Sequence, residues 1–169
     1  MAATIELFLI RHAIAAERGP NYPDDQKRPL TTEGVTRFKR SIEGLKDLDV
    51  TIDLVLTSPL TRATHTAELL VAGVEGKPRT EVLEALAPGG RVAQVLEAIT
   101  KYSKRAKHIA LVGHEPDLGE LAARLLRARG TIAFKKGSIC CLELDGAMPT
   151  GPGTLKWFLP PRALRKIGR

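Results

Sequence analysis

Cysteine is nearly missing from this 169-residue chain: Cys140 and Cys141 are the only two, and they stand side by side. That excludes a disulfide framework and a cysteine-rich zinc module. No apolar run approaches the roughly 20 residues of a membrane-spanning helix. The first residues lack the basic stretch of a secretory signal. A cytoplasmic protein with no membrane partner is therefore expected. Aromatic residues make up 4% of the chain, little for a surface that stacks nucleic-acid bases, which argues against a nucleic-acid partner. The four histidines show no H-E-x-x-H or comparable ligand spacing. Neither a metal site nor another cofactor is expected.

What is present suits an ordinary globular protein, 43% hydrophobic and 27% charged. A core of this size needs no disulfide or metal staple. Without a repeat, a low-complexity tract or a linker, residues 1–169 read as one domain. The net charge is +7, and it is uneven. Residues 101–108 hold four Lys or Arg, residues 124–136 five and residues 160–169 four, with no acid in any of the three windows. The rest of the chain is mildly acidic. Such segments suit an anionic partner or substrate, although each alone also reads as solvated surface.

Hydrophobic patterning gives the architecture. Ile5–Ile10 is a short apolar run that reads as a buried strand. Residues 17–29 carry no apolar period and read as a loop. Thr31 or Thr32 caps a helix in which Val35, Phe38, Ile42, Leu45 and Leu48 recur at helical spacing. Asp53–Thr57 is a second strand, and Ser58-Pro59 reads as a capping hydroxyl followed by Pro at the first helical position. Thr80–Leu86 is a weaker strand, and Val92, Val95, Leu96 and Ile99 mark another helix. His108–Val112 is a strong strand, Pro116 opens the next helix and Gly130 ends it. Residues 138–144 and 154–159 form two last strands, while the basic tail after Pro161 shows no pattern. Alternation of strands and helices predicts an α/β three-layer sandwich, with helices flanking a mostly parallel central sheet and an antiparallel member among the last strands.

In open α/β sheets, ligands bind beyond the C-terminal strand ends. Arg11 and His12 follow the first strand. Thr57 and Ser58 end the second, with Arg62 just beyond. Glu84 lies near the end of the weak strand, and Gly113-His114 closes the strong one. Two histidines, two arginines and a carboxylate at one sheet edge suit a phosphoryl group. Arginine offers a planar fork of donors for phosphate oxygens. A helix N-terminus after Ser58 adds backbone N–H groups. A neutral imidazole can attack phosphorus, and a second, protonated one can stabilise the equatorial oxygens. An Arg-His pair, a helix-capping His114 or an exposed Arg62 would each be unremarkable alone; their joint placement carries the argument. The other histidines and the cysteines read as structural, with Cys140 and Cys141 on opposite faces of a strand.

Arg11-His12-Ala13 resembles the first signature of the histidine phosphatase superfamily, also called phosphoglycerate mutase-like. Ser58-Pro59-Leu60-Thr61-Arg62-Ala63 resembles its S-P-x-x-R-A signature, and Val112-Gly113-His114-Glu115 resembles the third. Their order and separations agree along nearly the whole chain. The short length and Arg28-Pro29-Leu30-Thr31-Thr32-Glu33-Gly34 are similar to the SixA-type phosphohistidine phosphatases. The resemblance implies that His12 is the nucleophile, phosphorylated in the cycle. It implies that Arg11, Arg62 and His114 bind the phosphoryl group, with Ser58 beside them and Arg28 adding a contact from the loop.

One departure concerns the proton donor. Larger members carry it in a surrounding of type E-x-x-x-G-x-x-E-G, whereas here Glu84 stands in Leu83-Glu84-Ala85-Leu86-Ala87-Pro88. Asp25, on the loop before Arg28, is its rival. No insertion is long enough to build a lid over a small substrate. The resemblance thus implies a phosphohistidine phosphatase acting on a phosphorylated protein. The alternatives are a small-molecule phosphomonoesterase of the same superfamily and a non-catalytic module that binds polyanions.

Overall fold

The computed structural model describes residues 3–169. Six strands form one sheet: β1 (Thr4–Arg11), β2 (Leu54–Thr57), β3 (Arg79–Val82), β4 (His108–Gly113), β5 (Ile139–Asp145) and β6 (Thr154–Leu159). Five helices accompany them: α1 (Thr32–Asp47), α2 (Thr61–Gly73), α3 (Val92–Tyr102), α4 (Asp117–Leu126) and α5 (Pro161–Ile167). The strand order is β3-β2-β4-β1-β5-β6. Strands β1 to β4 run parallel, and β5 is antiparallel to both of its neighbours.

The alternation of side chains along a strand divides the core into two layers. Leu7 and Leu9 of β1 join Ile109 and Leu111 of β4 beneath Ile99 of α3 and Leu121 of α4. Phe8 and Ile10 join Ala110 and Val112 beneath Phe38 of α1, Leu70 of α2 and Leu164 of α5. This is the three-layer sandwich expected from the alternation. Cys140 and Cys141 fall one in each layer, both buried. Trp157 and Phe158 pack against Phe8 and Phe134.

Thr31 caps α1, its hydroxyl accepting from the Gly34 N–H at 2.9 Å. Four expectations need correction. The helix after Ser58-Pro59 starts only at Thr61, with no side-chain cap. Ser58 follows β2 directly, its N–H donating to the Val112 carbonyl of β4 at 3.0 Å. The weak strand stops at Val82, because its one neighbour β2 ends opposite it at Thr57, and Glu84–Leu86 instead form a 3-10 turn. Helix α4 ends at Arg127 in a left-handed conformation, φ 51°, before Gly130 is reached. The basic tail contains α5, with Pro161 in its first turn and the single fully buried anchor Leu164.

Candidate active site

The register of the parallel strands assembles the site. Arg11 of β1 pairs with Gly113 of β4, and Thr57 of β2 pairs with Val112. His12, Ser58 and His114 therefore leave three adjacent strands at the same level. The His12 N–H donates to the Gly113 carbonyl at 3.1 Å. The two imidazole centroids are 5.2 Å apart. His12, His114, Ser58 and Arg62 are all buried.

Hydrogen bonding fixes the state of each imidazole. His12 Nδ1 lies 2.7 Å from the Ala13 carbonyl oxygen. A carbonyl only accepts, so Nδ1 carries the proton and Nε2 keeps its lone pair. His114 Nε2 lies 2.7 Å from Ser58 Oγ, which also accepts from the Leu60 N–H at 3.3 Å. Ser58 Oγ can donate to His114 Nε2 while accepting from Leu60, and in that tautomer the buried His114 Nδ1 carries a proton that it can give to a ligand. Burial, outweighing the bond to Ala13, joins the charges of Arg62, Arg11 and Lys136 in pushing His12 down to about 4. Burial, then His12 and Arg62, push His114 down to about 3. Both rings are neutral at pH 7. The sequence expects a protonated second histidine; in the free protein burial above all, with His12 and Arg62 beside it, favours the neutral ring of His114.

The guanidiniums are oriented by oxygen atoms. Arg11 Nη1 donates to the Phe134 carbonyl at 2.6 Å. Arg62 donates from Nη1 to the Asp25 carbonyl at 2.9 Å and from Nη2 to Asp25 Oδ2 at 3.2 Å. Arg28 Nε and Arg18 Nε donate to Asp25 Oδ1, at 2.8 and 3.1 Å. Burial raises the Asp25 carboxyl, but the Arg28 hydrogen bond and the charges of Arg62, Arg28 and Arg18 outweigh it and hold the group below its ordinary value. Asp25 is the knot that ties the 17–29 loop to Arg62. Three buried side-chain nitrogens have no partner among the described residues: Arg11 Nε, Arg62 Nε and His114 Nδ1. A buried donor left unpaired costs about 1–3 kcal/mol, and here all three belong to the same constellation.

The family profile of the histidine phosphatase superfamily (branch 1) matches residues 7–88. The phosphohistidine phosphatase SixA of Escherichia coli is 31% identical over 164 residues, covering 95% of this chain and 97% of that protein. The chain belongs to the histidine phosphatase superfamily. The tungstate complex of the protein histidine phosphatase SixA superposes with a TM-score of 0.84 at 29% identity, covering 95% of this chain and 99% of that one. A phosphoglycerate mutase from Bacillus anthracis shares the fold, with a TM-score of 0.70 at 15% identity, covering 99% and 98%. This histidine phosphatase is thus a hydrolase with a mutase-like fold.

Of the residues the sequence singles out, Arg11, His12, Ser58, Arg62 and His114 converge, and Asp25 and Arg28 join them through the Asp25 knot. Arg28 is occupied by Asp25 and by the Ala16 carbonyl, to which its Nη1 donates at 2.6 Å. The Ser58 hydroxyl is engaged by His114 and Leu60, so its contact is with an imidazole. Glu84 is exposed, with no hydrogen bond or ion pair among the described residues. The turn it opens does reach the site: Ala85 and Leu86 line a cavity of about 20 Å³ with Gly113 and His114.

Sequence reasoning missed two holding residues of the histidine phosphatase. Glu115 accepts from the Phe134 N–H at 3.2 Å and the Gly119 N–H at 2.8 Å, fixing the carbonyl that orients Arg11. Thr66 Oγ1 accepts from the Ala13 N–H at 3.0 Å and donates to the Arg62 carbonyl at 2.7 Å, joining α2 to the strand end. Their signal was adjacency to the recognised signatures.

Proposed function

We propose that this protein hydrolyses phosphohistidine on a partner protein through a phosphoryl intermediate on His12. The observation that carries the reading is the trio of unpartnered buried nitrogens around an imidazole whose free atom is Nε2. Arg11, Arg62 and His114 Nδ1 supply donors to phosphoryl oxygens, while Nε2 attacks phosphorus. The His12 N–P bond forms as the substrate N–P bond breaks, and the departing imidazole nitrogen takes up a proton. Water then attacks the phosphorus on His12, loses a proton, and releases inorganic phosphate with Nε2 restored. The tungstate held by the related SixA structure, a tetrahedral oxyanion like phosphate, supports this assignment. So does the phosphohistidine phosphatase name of the E. coli relative. Ser58 acts through His114, and Arg28 through Asp25.

Asp25, ionised by its three arginines, has no proton to donate at pH 7. Glu84 is the candidate acid, in the turn after β3 whose Ala85 and Leu86 line the His114 cavity. An imidazole leaving group needs less acid help than an alkoxide. Glu84→Gln should therefore depress alkyl phosphate hydrolysis by about 10²–10⁴-fold and phosphohistidine hydrolysis weakly. Equal large losses on both refute the leaving-group argument, whereas Asp25→Asn, which loosens Arg62 and Arg28, should depress both substrates alike. The reading as a whole is tested with labelled phosphohistidine peptide, quenched in base. Wild type should form an acid-labile, base-stable adduct, and His12→Ala should form none and turn over nothing. An equal adduct in His12→Ala removes the nucleophile. A strong wild-type preference for a sugar or glycerate phosphate removes the protein substrate.

A further inference from the structure

A cleft of about 200 Å³ opens beside His12 and runs between α1 and α5. Ala13, Ile14 and Lys136 line its near end. Lys136 is close enough to the nucleophile to be among the charges that lower its pKa. Phe38 and Pro161 supply apolar lining, and Arg37, Arg162 and Arg165 supply charge. The same three arginines continue into a second depression of about 390 Å³ whose lining is entirely Arg and Lys, including Arg40 and Arg169. Two basic windows that the sequence places far apart, residues 124–136 and 160–169, thus meet on one surface whose near end is formed by the residues following His12.

The charge there is largely uncompensated. Among the described residues only Arg37 has an acidic partner, Glu33 one turn earlier. Arg165 is crowded by Arg37, Arg40, Arg162 and Arg169, whose charges add to burial in lowering its pKa. Such a field concentrates anions at the mouth of the site. Phe38 is 2% exposed and offers no face for a base to stack upon. Mixed apolar and cationic lining suits a polypeptide with acidic and apolar side chains.

We propose that this cleft docks an acidic segment flanking the phosphohistidine of the protein substrate. Aspartate and glutamate side chains pair with Arg37, Arg162 and Arg165, and an apolar neighbour covers Pro160 and Pro161. The inference rests on the phosphohistidine reading and adds the chemistry of the substrate's flanking sequence.

The test uses three substrates: phosphoramidate, a phosphohistidine peptide flanked by Asp and Glu, and the same peptide with Asn and Gln in their place. At low salt, wild type should show a KM about tenfold lower for the acidic peptide, with kcat unchanged. Physiological salt should shrink the difference. Arg162→Gln/Arg165→Gln should abolish it and leave phosphoramidate turnover unchanged, with circular dichroism confirming the fold. Equal KM values for the two peptides in wild type, or an advantage that survives in the double variant, overturn the docking. Fluorescence anisotropy of the acidic peptide with unphosphorylated histidine reads the cleft without turnover. Binding lost in the double variant, with neither phosphopeptide hydrolysed, sustains the cleft and sinks the phosphohistidine reading. A single-stranded RNA of equal charge that binds more tightly than the peptide overturns the assignment of the occupant.

Discussion

One hydrogen bond gives His12, the proposed nucleophile, a defined direction, because the Ala13 carbonyl leaves it a single possible tautomer. Arg62 depends on geometry in the same way. Two of its nitrogens hold Asp25 while Nε remains for a ligand. A lysine keeps the charge but cannot serve both directions from one ammonium. Arg62→Lys should therefore lose roughly 2–4 kcal/mol of transition-state stabilisation, as for the loss of a preorganised donor. The check is the ratio of kcat/KM values, and a drop within about threefold, below 1 kcal/mol, would remove Arg62 from the clamp. The residues proposed to meet a phosphoryl group were legible because their types fall at strand ends in a parallel sheet. Glu115 and Thr66 were not legible, because each holds a backbone N–H that only the folded topology brings near, Phe134 in one case and Ala13 in the other.

Helix α1 sits unusually close to the nucleophile's strand end. A Cβ at Gly34 would stand 2.1 Å from the Ile14 carbonyl oxygen, and one at Gly44 would stand 2.1 Å from that of Leu164. Alanine gains about 1 kcal/mol of helix propensity over glycine, but a backbone carbonyl cannot yield as a side-chain tip can. We expect Gly34→Ala to destabilise the protein by about 1–3 kcal/mol from overpacking and to lower kcat/KM, since Ile14 is two residues from His12. Urea denaturation checks the first effect, and an unchanged midpoint would show that α1 can shift freely. Strong elements such as α1 and β4 were legible because each carries several apolar positions at one period. Helix α5 was not, because its seven residues show one buried anchor, Leu164, and a single anchor has no period. The extent of β3 escaped for a related reason: an edge strand ends where its partner ends, and the partner lies more than twenty residues away in the chain.

Across the whole molecule, the two buried imidazoles make stability depend on pH. Their folded values, about 4 for His12 and about 3 for His114, lie below the ordinary 6.5. Between those values and 6.5 the unfolded chain binds protons that the native one does not. Stability is therefore lost as pH falls below 6.5, at about 1.4 kcal/mol per pH unit for each histidine. Urea midpoints at pH 7 and pH 5 test this: His114→Gln should lose about 2 kcal/mol less than wild type over that step. An equal loss in both would mean that His114 titrates normally. The strand order carries a further consequence, for synthesis. Strand β1 leaves the ribosome first, yet its neighbours in the sheet are β4 and β5, and Arg11 pairs with Gly113. At about 5–20 residues per second, the nascent chain carries Ile5–Ile10 with one or both edges open for roughly 7–27 s before β5 is complete. For that interval β1 is an aggregation-prone segment awaiting its partners.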